Sequence, residues 1–126
     1  MKKIETSNAP GAIGPYSQGM LSGRLLFTSG QIALDPRTGA VVGDAIETQS
    51  EQALKNLQAV LEAGGASLGS VVKTTCFLSD MGDFAAFNAV YARFFTGDCP
   101  ARSCVAVKAL PKNVLVEVEA VAEVLD

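Results

Sequence analysis

From Val114 to Leu125 the chain alternates without a break. Val114, Val116, Val118, Ala120, Ala122 and Val124 fall on one side, and Leu115, Glu117, Glu119, Val121 and Glu123 fall on the other. Only an extended strand carries side chains with a period of two. The first side is wholly apolar and has to be covered. The second mixes apolar residues with carboxylates and does not have to be. The sequence therefore demands a sheet with a packed layer on one face.

Two segments have the period to supply that layer. Ile46, Ser50, Ala53, Leu54, Leu57, Val60 and Leu61 recur at helical spacing and predict a helix from Ala45 to Ala63, ended by Gly64-Gly65. Phe84, Phe87, Val90, Tyr91 and Phe94 predict a second helix from Asp83 to Phe95, with an acidic residue at its positive end. Thr96-Gly97-Asp98-Cys99-Pro100 breaks it. Each helix is apolar along one stripe, so the pair can cover one sheet face. The other face, with Leu115 and Val121 among three glutamates, suits self-association.

The remaining signals are extended. Gln18 to Leu21 and Leu25 to Ser29 make a hairpin about Ser22-Gly23. Asp35-Pro36-Arg37-Thr38-Gly39 is a turn. Val71 to Leu78 is β-branched and aromatic, hence a strand. Arg102 to Lys108 is another, followed by a turn at Leu110-Pro111-Lys112-Asn113. The predicted order is β-β-β-α-β-α-β-β, a single α+β domain over residues 1–126 with two helices on one face of a mixed or antiparallel sheet.

Composition narrows the chemistry. Among 126 residues there is no histidine, which removes the commonest general base, the usual zinc ligand and every Ser-His or Cys-His dyad. No phosphate-binding glycine loop and no cluster of metal ligands occurs, so no cofactor and no metal are expected. A net charge of −3 with scattered Lys and Arg predicts neither a nucleic-acid partner nor membrane-surface binding. No apolar run is long enough to span a bilayer. The residues after Met1-Lys2-Lys3 lack an apolar stretch, so no secretory leader is expected from them. Cys76, Cys99 and Cys104 are an odd set without a CxxC pair, which fits reduced thiols in the cytoplasm.

Arg102 and the glutamates of the last strand are the most informative pair. An arginine fork suits bidentate grip of a carboxylate. Glu117 and Glu119 share a face about 7 Å apart, from two residues at roughly 3.3 Å rise. A hairpin centred on Leu110 to Asn113 brings Arg102 opposite residues 117 to 120, and a slip of one residue decides whether it meets glutamates or valines. The residues alone favour the plainer reading, an Arg–Glu ion pair across that hairpin. Ser29 and Gly30 end a strand and can line a pocket or simply fit a loop. Tyr16, after Gly14-Pro15, can cap a pocket or merely pack. Cys104 shares a strand face with Arg102 and by default is a small buried filler. Asn88 lies on the polar side of the second helix, where a surface amide is the default.

Four segments together carry a resemblance. Ile13–Gly19 (IGPYSQG), Phe27–Ile32 (FTSGQI), Ala53–Asn88 and Pro100–Ala122 (PARSCVAVKALPKNVLVEVEAVA) resemble the RidA/YjgF family over nearly the whole chain. The resemblance implies a chorismate-mutase-like α+β fold and a homotrimer with clefts between subunits. It implies 2-iminobutanoate/2-iminopropanoate deaminase activity without a cofactor, on imines and enamines released by pyridoxal-phosphate-dependent dehydratases, whose free 2-aminoacrylate otherwise damages such enzymes. Carried over by motif, Arg102 binds the substrate carboxylate and Glu117 handles the water. Tyr16, Ser29, Gly30, Asn88 and Cys104 fall at pocket positions. Glu119 matches Glu117 by spacing and is set aside by motif alone. Two departures bear on substrate size: the Thr96–Cys99 segment is short, and Ala106 stands where the family often has an acid.

Two other classes remain open on sequence grounds. One is a non-catalytic module that binds a carboxylate metabolite in the same pocket. The other is a ribonuclease or translation inhibitor, which the acidic charge and missing basic patch oppose.

Overall fold

The computed structural model describes residues 1–125. Six strands and two α-helices follow the predicted order: β1 (Lys2–Ile4), β2 (Gly19–Ser22), β3 (Leu25–Thr28), α1 (Ile46–Ala63), β4 (Val71–Leu78), α2 (Phe84–Phe94), β5 (Ala101–Ala106) and β6 (Val116–Glu123). They form one mixed sheet in the order β1-β2-β3-β6-β4-β5. Only β4 and β5 are parallel; every other neighbouring pair is antiparallel.

Both helices lie on one face, as their stripes require. Leu54, Leu57, Val60 and Leu61 of α1 and Phe87 of α2 are closed to solvent, against Leu26, Cys76, Leu78, Val116 and Val118 of the sheet. Each such leucine contributes about 1.5–3 kcal/mol through burial. The glycine pair ends α1 as expected: Gly65 has φ +86°, and the Ala66 amide closes the last turn on the Leu61 carbonyl at 2.9 Å. The β2–β3 hairpin forms with Ser22 paired to Leu25, so the turn residues are Gly23-Arg24, one position later than predicted. The Asp35–Gly39 turn also forms, with Gly39 at φ +76° donating to the Asp35 carbonyl at 2.8 Å.

The alternation in β6 sorts its side chains as predicted. Val116, Val118, Ala120 and Ala122 are buried under the helices, while Glu117, Glu119 and Val121 are half-buried on the open face. The strand itself is shorter than the pattern, because Val114 and Leu115 belong to the approach and Val124 and Leu125 lie beyond it.

One expectation fails. β5 does not pair with β6. It lies at the sheet edge, parallel to β4, and β4 separates the two strands that sequence joined in a hairpin. It also ends at Ala106, two residues short of the prediction. The physical reason is α2. Parallel neighbours need a crossover, and β4-α2-β5 provides one. After β5 a 3-10 turn at Pro111–Asn113, with Lys112 and Asn113 both at φ 55°, carries the chain past β4 to β6.

Candidate functional site

The sheet register places the candidate residues. Cross-strand partners point to the same face, and two rows run through β5, β4 and β6 on the helix side: Arg102–Thr74–Ala120 and Cys104–Cys76–Val118. The rows Ser103–Thr75–Glu119 and Val105–Phe77–Glu117 point the other way. Arg102 and Glu117 therefore leave the sheet on opposite faces. The expected Arg–Glu ion pair across a hairpin does not exist within the chain.

On the open face, Glu117 lines a groove of about 490 Å³. Tyr16, Ser29 and Gly30 line the same groove, along with Ile13, Ile32 and Pro111. Gly30 is held against β6 because the next residue, Gln31, exchanges two backbone hydrogen bonds with Val118, at 2.7 and 3.0 Å. That approach leaves no room for a side chain. A Cβ on Gly30 would collide with the Glu117 carboxylate and lie 2.7 Å from its carbon. Glycine here makes the space that Glu117 fills. Ser29 donates its hydroxyl to the Ser17 carbonyl, and its amide donates to the Gln18 carbonyl at 2.8 Å, so the Tyr16 loop is tied to the end of β3. Tyr16, which lines the groove, is 52% exposed. Burial first, and the neighbouring Glu119 carboxylate second, push the Glu117 carboxyl above its ordinary value.

On the helix side, Arg102 lies at the edge strand beneath α2. Its Nη1 donates to Asn88 Oδ1 at 2.8 Å. Its guanidinium sits 4.7 Å from the centre of the Tyr91 ring and 5.5 Å from that of Phe84. Among the described residues no carboxylate pairs with it. Its charge is thus held by an amide oxygen and two ring faces, none of which neutralises it. Burial raises the Cys104 thiol, partly offset by Arg102, and pushes Cys76 up to about 12, so both thiols stay protonated at neutral pH.

The predicted residues thus form two groups. Tyr16, Ser29, Gly30 and Glu117 share the open-face groove, while Asn88, Arg102 and Cys104 cluster at the helix-side edge. Within one chain they do not meet. Asn88 is half-buried and bonded to Arg102, which corrects the reading of it as a surface amide. Sequence reasoning missed Gln18. It is only 3% exposed, and its amide donates to the carbonyls of Pro10 at 2.7 Å and Thr6 at 3.0 Å while accepting from the Thr6 amide at 2.7 Å. It fixes the loop that carries one wall of the groove. A glutamine just after the Gly-Pro-Tyr turn and immediately before a strand was the available signal. Among the described residues no three His, Cys, Asp or Glu side chains gather to hold a metal ion, and no helix is long and apolar enough to cross a membrane.

Residues 6–124 match the family model described as Endoribonuclease L-PSP. A Salmonella typhimurium protein named 2-iminobutanoate/2-iminopropanoate deaminase is 52% identical over 124 residues, covering 96% of both chains. A RutC family protein, y4sK of Sinorhizobium fredii, is 53% identical over 121 residues, again covering 96% of each. The crystal structure of Escherichia coli TdcF with bound serine superposes with a TM-score of 0.93 at 47% identity over 98% of both chains.

Proposed function

The chain belongs to the Endoribonuclease L-PSP family, which includes the RidA and YjgF proteins, and we propose that it hydrolyses 2-imino acids to 2-keto acids and ammonia. The observation that carries this reading is Arg102: a guanidinium fixed by neutral groups, with its charge left for an incoming anion. A deaminase relative at 52% identity over nearly the full length supports the substrate class, and serine in the TdcF structure is an amino acid of matching size.

The two groups of residues act together if two chains meet. In this proposal the open sheet face packs against a neighbouring subunit in a homotrimer. Leu25, Phe27 and Val105 are large apolar residues left exposed in the single chain, and Phe27 and Val105 stand on that face in register with Val121 and Phe77. Each cleft takes Tyr16, Ser29, Gly30 and Glu117 from one subunit and Asn88, Arg102 and Cys104 from the next.

The chemistry asks little of the protein. The protonated imine carbon is already electrophilic, so orientation is the main need. Arg102 grips the carboxylate through paired N–H donors. Glu117 takes a proton from water as the new C–O bond forms and passes it to the nitrogen. The C–N bond then breaks as the carbonyl forms, and ammonia leaves with the hydroxyl proton as ammonium. A carboxylate raised from its ordinary value is a better-matched base for this transfer than an unperturbed one. The imines are those that pyridoxal-phosphate-dependent dehydratases release.

The test supplies threonine and threonine dehydratase and follows 2-ketobutyrate. The protein accelerates its appearance and Arg102→Ala does not. Acceleration retained by Arg102→Ala rejects the reading. Tight binding of a 2-keto acid with no acceleration favours the non-catalytic module instead.

A further inference from the structure

Arg102 is the second residue of the edge strand β5, and a long side chain there has several rotamers open to it. What limits them comes from α2 and β4. The ring of Tyr91 is 7% exposed and packs between Phe87 and Phe95, with centroids at 5.6 and 4.5 Å. Its hydroxyl is bonded at 2.7 Å to the hydroxyl of Thr74, which is itself buried and lies directly beside Arg102 in the β4–β5 register. The ring is thus held at its tip by Thr74 and packed against two neighbouring rings, and its centre lies 4.7 Å from the guanidinium carbon. Phe84, two turns earlier on the same helix, borders the guanidinium at 5.5 Å. Asn88, between them in sequence, takes one N–H.

From this arrangement we infer that Tyr91, assisted by Phe84, is a positioning residue. It orients the Arg102 fork for a carboxylate while leaving the positive charge available. A carboxylate in the same place would hold the fork as firmly and would compete with the substrate. A ring face attracts the cation without donating to or accepting from its N–H groups. Burial raises the Tyr91 phenol, so the ring stays neutral and does not become a competing anion. The inference rests on the reading of Arg102 as the carboxylate-binding group.

A carboxylate contact is present in the bound substrate and in the transition state alike. Disordering the fork therefore weakens both, which raises KM and leaves kcat in place. In the threonine dehydratase-coupled assay, Tyr91→Leu raises KM about tenfold with kcat little changed. Tyr91→Phe, which keeps the ring and gives up the Thr74 bond, restores most of the KM. Phe84→Leu, at a half-buried site less able to disturb the core, raises KM by about threefold and carries the test should Tyr91→Leu not fold. An unchanged KM in Phe84→Leu and Tyr91→Leu, with kcat merely tracking the folded fraction, overturns the positioning role. If that result comes with activity lost in Arg102→Ala, the site reading survives and only this inference falls. If Arg102→Ala is fully active, both fall.

Discussion

The side chains of Arg102 and Glu117 leave one sheet from opposite faces, two strands apart, with β4 between them. Arg102 stands in a row with Thr74 and Ala120, and Glu117 in a row with Phe77 and Val105. No rotamer change brings them to one substrate inside a single chain. Any chemistry that uses both needs a second copy, and the predictions below turn on that geometry.

Replacing Arg102 separates charge from shape. Arg102→Lys keeps the cation and loses the fork, and its kcat/KM should fall about 10- to 100-fold; Arg102→Ala should fall further. Steady-state kinetics in the coupled assay measure both. Equal activity of the lysine variant and the wild type contradicts bidentate binding.

Gly30→Ala places a methyl group where the Glu117 carboxylate now lies. The φ of Gly30 lies outside the left-handed region, so the backbone tolerates the change. The cost falls on the position of Glu117, and a displacement near 1 Å lowers turnover about 100-fold. Thermal unfolding should show a far smaller effect than kcat. A large drop in Tm with kcat preserved in the folded fraction contradicts the account.

The acidic limb of the pH–rate profile should depend on Glu119. In the proposed mechanism Glu117 acts as the base in its ionised form. Burial and the Glu119 charge both disfavour that form, so activity is lost, as pH falls, at a higher pH than an ordinary carboxylate gives. Glu119→Gln removes the like charge, which lowers the Glu117 value and moves the limb to lower pH. An unmoved limb, or one displaced upward, counts against Glu117 as the base.

Much of the fold was legible before any coordinates. The alternation of β6 identified the buried face residue by residue, and Val71–Leu78 has the predicted limits because a β-branched run between polar turns admits few alternatives. The partner of β5 was not legible. Strand pairing is a long-range choice, and the short Leu110–Asn113 turn imitates a hairpin when read locally. The candidate site fared similarly. Gly30 and Glu117 were named, but their contact depends on the Gln31–Val118 bridge, which joins segments far apart in sequence. Tyr91 was placed correctly in the apolar stripe. Its other role was hidden because the ring face toward Arg102 is defined only once β5 lies against β4.

The most direct measurement mixes two inactive chains. Arg102→Ala and Glu117→Gln should each lose at least about 100-fold in kcat/KM on their own. Co-assembled in equal amounts, they should recover about a quarter of wild-type activity. In the proposed trimer each shared cleft would draw its arginine from one chain and its glutamate from the next, and both would be intact in one arrangement of four. A mixture no more active than its parents, with mixed assemblies confirmed by mass spectrometry, contradicts a site divided between subunits.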